Sequence, residues 1–466
     1  MNNRLICFAP LLLAAQLAAA AQSGFTDAEA DAIKAFLQQN LGDTNLGMVI
    51  GLVDEHGSRI ISAGRLDNGT SQEVNGDTIF EIGSVTKTFT SLLALKMAER
   101  GEIKLQDPVA KYLPESVRMP SRNGKEITVL NLAAQDSGLP FNADNHTGDD
   151  WKERFETYTA GKMYAFLSGH TLTAEPGSKF QYSNIGMALL GHVMALKTGT
   201  NYETLIVDRI CRPLHMDNTR ITLTPEMKAR LARGHDEAGK PAPNWDLDLI
   251  AGAGGLRSTA NDLLKYVSAN LGLTQSTLKP LMEKMQVIRH EDSPDFGKTA
   301  MPWFDRGVYQ AAGIELLGHS GGTGGYSAFV GFDKKQRRGV VALCDQPGWS
   351  TLAWAILQRV PLTKESKTMF VREIVGIGTG LATDEKTRLL RITMILPKSP
   401  AAQAGLSAGV LIRRINGITV EGKNLDECTN LIRGPVGTKV RLEIINPDRE
   451  ETNIVELTKQ KFLTSG

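Results

Sequence analysis

Three short groups of residues hold side chains that could do chemistry together. They are Ser84-Val85-Thr86-Lys87, Tyr182-Ser183-Asn184 and His319-Ser320-Gly321-Gly322. A serine hydroxyl is a poor nucleophile until a neighbour takes its proton. Lys87 follows Ser84 by three positions, so on a helix the two side chains share one face, one turn apart. Lys87 can accept that proton only if its pKa falls well below the free value of ~10.4, and burial or a second cation is the usual means. Tyr182 is a phenol with a free pKa of ~10, able to carry a proton if it is held near a cation such as Lys87. Asn184 could donate to a substrate carbonyl and bond to Lys87. Gly321 and Gly322 let a substrate backbone come close. The backbone N–H groups of Ser84 and Gly322 are the candidates for holding a developing oxyanion. The chemistry of such a set is acyl transfer.

Each group also has a plainer reading. Ser84 could be a helix cap, Tyr182 a core tyrosine whose hydroxyl finds a partner, and the His319 group a glycine-rich hairpin. The Ser-x-x-Lys spacing recurs at Ser276–Lys279, where Pro280 follows at once. What argues for a site is the joint occurrence of three groups in one order. A phosphate-binding loop is a poor fit, because no Lys-Ser/Thr pair follows the glycines.

The elements that must position these residues can be read from periodicity. Thr26–Leu41 has helical spacing, with Thr26 or Asp27 as the cap. Leu46–Asp54 and Ser58–Arg65 read as two strands of a hairpin turning at His56-Gly57. A long helix runs from about Ser84 to Arg100 and is ended by Gly101. The stretch from about Pro108 to Met301 is mostly helix and loop. Glu315–Leu317, Tyr326–Asp333 and Gly339–Cys344 return to strand-like runs. The sheet therefore draws strands from both ends of the region, which is an α+β pattern. Pro361–Thr368 is polar and charged and reads as a linker. After it Val375-Gly376-Ile377-Gly378 precedes a strand at Leu389–Ile395, and a helix at Leu425–Arg433 and a strand at Gly437–Ile445 follow.

Composition narrows the class. The chain has 466 residues, enough for two or three domains. Lys plus Arg number 52 against 51 Asp plus Glu, which leaves no basic field for nucleic acid. Arg4, the apolar run Leu5–Ala20 and the small residues Ala18–Ala21 have the form of a cleavable export signal over residues 1–21. A retained membrane anchor is the rival reading, against which the run is shorter than the ~20 residues of a span. Cys7 would leave with the signal, and Cys211, Cys344 and Cys428 remain. A Cys211–Cys344 bridge and buried free thiols are the two readings of that set. No Cys/His cluster has zinc spacing, and the acyl-transfer chemistry calls for no metal or organic cofactor.

The three motifs together resemble the active site of the penicillin-recognising serine hydrolases, the superfamily of class C β-lactamases and DD-peptidases, over about residues 25–355. Gln135-Asp136-Ser137-Gly138-Leu139-Pro140 resembles its His-Thr-Ser-Gly-Leu-Pro segment, and Gly254–Asp262 its Gly-Gly-Leu-x-Ser-Thr-x-x-Asp-Leu segment. The resemblance implies an antiparallel sheet flanked by helices, an all-helical subdomain and a site between them, within residues 22–360. It implies Ser84, Lys87 and Tyr182 as catalytic residues and Asn184, His319, Ser320, Gly321 and Gly322 as substrate-binding ones. The substrate classes it implies are cell-wall-type D-amino-acid peptides, small esters and β-lactams, met in a bacterial periplasm. In the family a Lys-Thr-Gly edge strand lines the cleft, and its cation helps hold a substrate carboxylate. Here His319 stands in the lysine's place, which points toward peptide or ester hydrolysis, with Arg257 a candidate to supply charge instead. A slowly deacylating sensor or scaffold is the alternative.

Residues 369–461 resemble a bacterial PDZ domain through Gly376–Gly378, Ser399–Leu406 and Arg414-Ile415-Asn416-Gly417, with Val410 where such domains usually have Asp. That implies capture of a peptide C-terminus, its carboxylate held by the backbone of Gly376, Ile377 and Gly378.

Overall fold

The computed structural model describes residues 24–41, 44–146, 155–293, 296–305, 315–362, 371–384, 387–395, 399–423, 425–446 and 451–465. The signal segment 1–21 and linker residues 363–368 lie outside the described residues. The described residues fall into two units, the first up to residue 362 and the second from residue 371.

The first unit opens with α1 (Asp27–Leu41). Thr26 caps it reciprocally: the Thr26 N–H donates to Glu29 Oε2 at 2.7 Å and the Glu29 N–H to Thr26 Oγ1 at 3.1 Å. Its buried residues Ile33, Phe36, Leu37 and Leu41 recur at helical spacing on one face. A hairpin follows, β1 (Gly47–Asp54) and β2 (Gly57–Gly64), closed at Asp54 opposite Gly57. All eight residues of β1 are buried, as expected of a central strand.

Helix α2 (Thr86–Glu99) is buried on every face from Thr86 to Leu95. Such a helix is a core element rather than a surface one, and each fully buried Leu or Phe stabilises by about 1.5–3 kcal/mol. Helix α3 (Asn184–Thr198) starts at Ser183, whose hydroxyl accepts from the Gly186 N–H, and stops at Gly199 in the left-handed conformation. Helix α4 (Ala260–Leu271) is capped by Thr259.

The chain then returns to the sheet with β3 (Leu316–Gly322), β4 (Ser327–Asp333) and β5 (Arg338–Cys344). The eight-stranded antiparallel sheet runs β2-β1-β5-β4-β3, then the short strands Phe304–Asp305, Gly297–Thr299 and His290–Ser293. Strands from both ends of the unit thus meet in one sheet: β5 pairs with β1 with Cys344 opposite Met48 and Gly339 opposite Val53. Helices were expected from the sequence between them, and they are there. Cys211, Cys344 and Cys428 are buried free thiols, so the bridge reading gives way to the other.

The second unit has a sheet in the order Thr379–Thr383, Leu390–Ile395, Leu411–Ile415, Lys439–Asn446, Glu451–Thr458. Its core gathers Ile377, Leu390, Ile392, Ile412, Val440 and Leu442. The Leu425–Ile432 helix buries Cys428 and Ile432 against it. Among the described residues no helix is long and apolar enough to cross a membrane.

Candidate active site

Ser84 sits in a turn of 3-10 helix, Gly83–Val85, that runs directly into α2. Backbone N–H groups in a first turn have no intrahelical acceptor and remain available to a ligand. From Glu81 to Thr90 every residue is buried except Ser84, which is partly open. The Lys87 side chain is wholly buried. Its Nζ lies 2.8 Å from Ser84 Oγ and 2.7 Å from the Ala253 carbonyl oxygen. Removal from water lowers the Lys87 pKa well below its ordinary value. The cause is burial alone; no second cation is needed.

Tyr182 is carried on the extended segment ahead of α3. The ammonium position of Lys87 is 4.8 Å from the centre of the Tyr182 ring. Burial raises the Tyr182 phenol above its usual value, and a hydrogen bond with Ser84 only partly offsets the rise. To carry a proton Tyr182 must be held near Lys87, and the structure sets its ring beside that amine. Burial thus disfavours the charged form of both groups, the phenolate of Tyr182 and the ammonium of Lys87.

The Tyr-Ser-Asn segment is clamped by the Gln135–Phe141 loop. Gln135 takes a positive φ of 61°, its backbone carbonyl accepts from the Gln181 N–H at 2.7 Å and its Oε1 from the Ser183 N–H at 2.6 Å. Ser183 Oγ donates to the Pro140 carbonyl at 2.7 Å, and the Asn184 N–H to the Phe141 carbonyl at 2.8 Å. The Asn184 amide donates to Asn142 Oδ1 at 3.0 Å. The expected Asn184–Lys87 bond is replaced by this pairing, because Ser84 and Ala253 take the Lys87 amine.

The third motif forms the C-terminal part of β3. A Cβ added to Gly321 would stand 2.0 Å from the Ile82 carbonyl oxygen and 3.0 Å from the Ser84 nitrogen. One added to Gly83, whose φ is +47°, would stand 2.6 to 2.9 Å from backbone atoms of Gly322. Only glycines allow strand and turn to touch this closely, and the contact brings the Ser84 and Gly322 backbones together. Among the described residues, the strand Phe304–Asp305 pairs with β3 only at Gly318, so the motif half of β3 keeps an open edge. Ser320 is partly exposed and Gly322 exposed.

His319 is 1% exposed. Its Nδ1 is 2.7 Å from the Ser320 carbonyl oxygen and its ring packs 4.6 Å from Phe304 and 6.2 Å from Tyr182. Arg257 corrects an expectation. It is 7% exposed, lies 3.3 Å from Glu81 and 2.8 Å from Asp246, and donates to the Trp245 and Ile221 carbonyls. A guanidinium so occupied ties Glu81 to the Arg257–Thr259 strand that pairs with Ile79–Glu81; it supplies no free charge to the cleft.

Several positioning groups carried no sequence signal. The Ala253 carbonyl is backbone, which no residue type announces. Phe141 and Phe296 belong to no motif, yet both stack on Tyr182. Among the described residues no group of three or more His, Cys, Asp or Glu side chains could hold a metal.

In the second unit, Gly378 has a φ of +76° and Ile377 is buried, its carbonyl accepting from the Ala401 N–H. The Thr379–Thr383 strand that follows is the outer strand of its sheet.

The chain matches the family described as Beta-lactamase over residues 33–359 and that described as PDZ domain over residues 391–446. It is 31% identical over 250 residues to the D-alanyl-D-alanine-carboxypeptidase/endopeptidase AmpH of Escherichia coli strain K12, a stretch that is 54% of this chain and 64% of that protein. The match thus spans a little under two thirds of that relative's length. A Beta-lactamase of Pseudomonas fluorescens is 26% identical over 331 residues, covering 64% of this chain and 88% of the other. Among solved structures, D-alanine carboxypeptidase AmpC from Burkholderia cenocepacia superposes with a TM-score of 0.59 at 26% identity, covering 72% of this chain and 99% of that one. A class C β-lactamase from Rhodobacter sphaeroides, at 23% identity and a TM-score of 0.58 over 69% of this chain and 94% of its own, shares the fold. By a match that takes in well over half its length, the chain belongs to the β-lactamase family, and a PDZ domain follows the family domain.

Proposed function

We propose that the first unit is a serine hydrolase working through an acyl-enzyme on amide or ester substrates: cell-wall-type D-amino-acid peptides, small esters or β-lactams. The observation that carries this is the 2.8 Å contact between Ser84 Oγ and a wholly buried Lys87 amine, whose pKa burial sets well below its ordinary value. Ser84 Oγ attacks the carbonyl carbon while its proton passes to the Lys87 lone pair. The backbone N–H groups of Ser84 and Gly322 hold the oxyanion, each such donor typically being worth ~10²–10³ in turnover. As the tetrahedral adduct collapses, Tyr182 gives its proton to the departing nitrogen or oxygen and recovers one from Lys87. Water then attacks the ester at Ser84, loses its proton to the same pair, and releases the acid and free serine. Peptide or ester hydrolysis is favoured over dedicated β-lactam resistance, because His319 is buried where the family has a lysine.

The PDZ domain, in this reading, binds a peptide C-terminus as an added strand along the free side of Thr379–Thr383, with backbone N–H groups of Gly376–Gly378 on the carboxylate. Residues 1–21 direct export to a periplasm, residues 22–360 form the hydrolase and 369–461 the PDZ module. The test is mass spectrometry of the mature protein during turnover of a chromogenic cephalosporin, a p-nitrophenyl ester and a D-Ala-D-Ala peptide. A transient acyl mass at Ser84 with continuing product supports the reading, and full activity in Ser84→Ala refutes it.

A further inference from the structure

Two phenylalanine rings stack on Tyr182: Phe141 at 5.6 Å with planes 26° apart, and Phe296 at 5.4 Å with planes 6° apart. Behind them, Phe304 packs 4.9 Å from Phe296, and Phe180 5.1 Å from it. Phe180 and Phe304 are buried, but Phe141 is 46% exposed. A large apolar ring thus stands open to water directly beside the ring that serves the nucleophile. It is held there by its own backbone, whose carbonyl is bonded to the Asn184 N–H. A scattered surface Phe needs no explanation; one fixed at the mouth of a reactive cleft offers a platform of ~25 cal/mol per Å² of apolar area covered.

The basic groups the motifs bring toward Ser84 are meanwhile all engaged elsewhere. Lys87 is wholly buried on Ser84 and Ala253. Arg257 is occupied by Glu81, Asp246 and two carbonyls. His319 is buried among aromatic rings with Nδ1 on its neighbour's carbonyl. The Asp246 carboxylate beside Arg257 is 74% exposed and adds negative charge on that side.

We propose that Phe141 determines specificity: it seats an aromatic or bulky apolar group flanking the scissile carbonyl, and the favoured substrates are esters or amides with no free carboxylate at that bond. This rests on the acyl-transfer reading of Ser84. Phe141 and Phe296 also help orient Tyr182, since both stack on its ring.

The test measures acylation of Ser84 by intact-mass spectrometry, so that slow deacylation does not hide it. Matched p-nitrophenyl esters compare phenylacetyl with acetyl, and matched peptide pairs compare a benzyl with a methyl side chain after the scissile bond. A further pair compares a C-terminal carboxamide with its free acid. Wild type should prefer the aromatic member on at least one side by about tenfold or more. Carboxamide and free acid should react within about threefold of each other. In Phe141→Ala the aromatic preference should collapse toward unity, and Phe141→Leu should keep part of it. The preference is a ratio, so a general slowing through a displaced Tyr182 leaves it unmoved, and an unchanged ratio in Phe141→Ala overturns the proposal. A free acid preferred by more than about tenfold over its amide overturns it as well. Ser84 labelled without aromatic preference sinks the proposal alone, whereas no labelling of Ser84 by any member sinks the serine-hydrolase reading beneath it.

Discussion

Lys87 Nζ rests 2.8 Å from Ser84 Oγ, with Lys87 fully buried and Ser84 partly open to the cleft. Removing an amine from water favours its neutral form. The arrangement therefore supplies a base at the cost of folding stability.

That cost can be measured. Burial sets the folded pKa of Lys87 below the ~10.4 of an unfolded chain. Between the two values the unfolded chain binds a proton that the folded one does not, so this group makes stability rise with pH through that window. Lys87→Met keeps the volume and removes the amine. Denaturant unfolding at pH 7 should show a gain of about 1–2 kcal/mol, shrinking as pH rises through that window and gone above the unfolded-state value, while acylation of Ser84 is lost. A variant less stable than wild type at pH 7 would contradict a Lys87 pKa lowered by burial. In wild type, the acylation rate should fall as pH drops through the lowered Lys87 pKa and hold on the alkaline side until the raised Tyr182 phenol ionises.

Gly321→Ala tests the contact between strand and turn. The new methyl group would need the space held by the Ile82 carbonyl, 2.0 Å away. The expected result is a fall in turnover of about 10²-fold, the loss of an oxyanion donor, with a smaller effect on substrate KM. Near-normal kcat would show that the oxyanion donors are not set by this approach.

Arg257→Ala should act on stability. It would strand Glu81, which is 4% exposed, beside two remaining donors, the Asn244 amide and the Trp245 N–H. Removing one partner of such a buried pair typically costs about 3–5 kcal/mol. Thermal unfolding should show the loss, and KM for carboxylate-bearing and carboxylate-free substrates should move in parallel. A selective rise for the carboxylate-bearing substrate would return Arg257 to the cleft as a binding residue.

For the PDZ domain, a panel of peptides with free C-termini should contain binders that lose affinity by about tenfold or more on amidation, as expected when a backbone cradle holds the carboxylate. Gly378→Ala should weaken the same peptides, because a φ of +76° costs an alanine roughly 1 kcal/mol. Isothermal titration against the full chain reads both. Equal binding of acid and amide forms would argue that the peptide terminus is not what the domain recognises.

Much of this was legible locally. Ser84 and Lys87 share a helix face because their spacing matches the turn. Thr26 caps α1, Gly199 ends α3 and β1 pairs with β2 because each depends on neighbours in the chain. The α+β pattern was readable for the same reason, because residue type and periodicity record local geometry; the three motifs and the PDZ domain were legible through their resemblance to known families.

Other properties depend on what long-range packing puts beside a residue, and residue type is silent about that. The sequence shows a lysine at 87; only its burial in the fold lowers its pKa well below the ordinary value. It shows an arginine at 257 that could have served the cleft, and only the pairing of Arg257–Thr259 with Ile79–Glu81 brings Glu81 to occupy it. Phe141 and Phe296 look like any other phenylalanines until the fold closes them over Tyr182. The sequence by itself determined which groups could react and how the helices carrying them begin and end. The tertiary structure decided their protonation, their orientation and which of them face a substrate, because desolvation and stacking are set by neighbours distant in the chain.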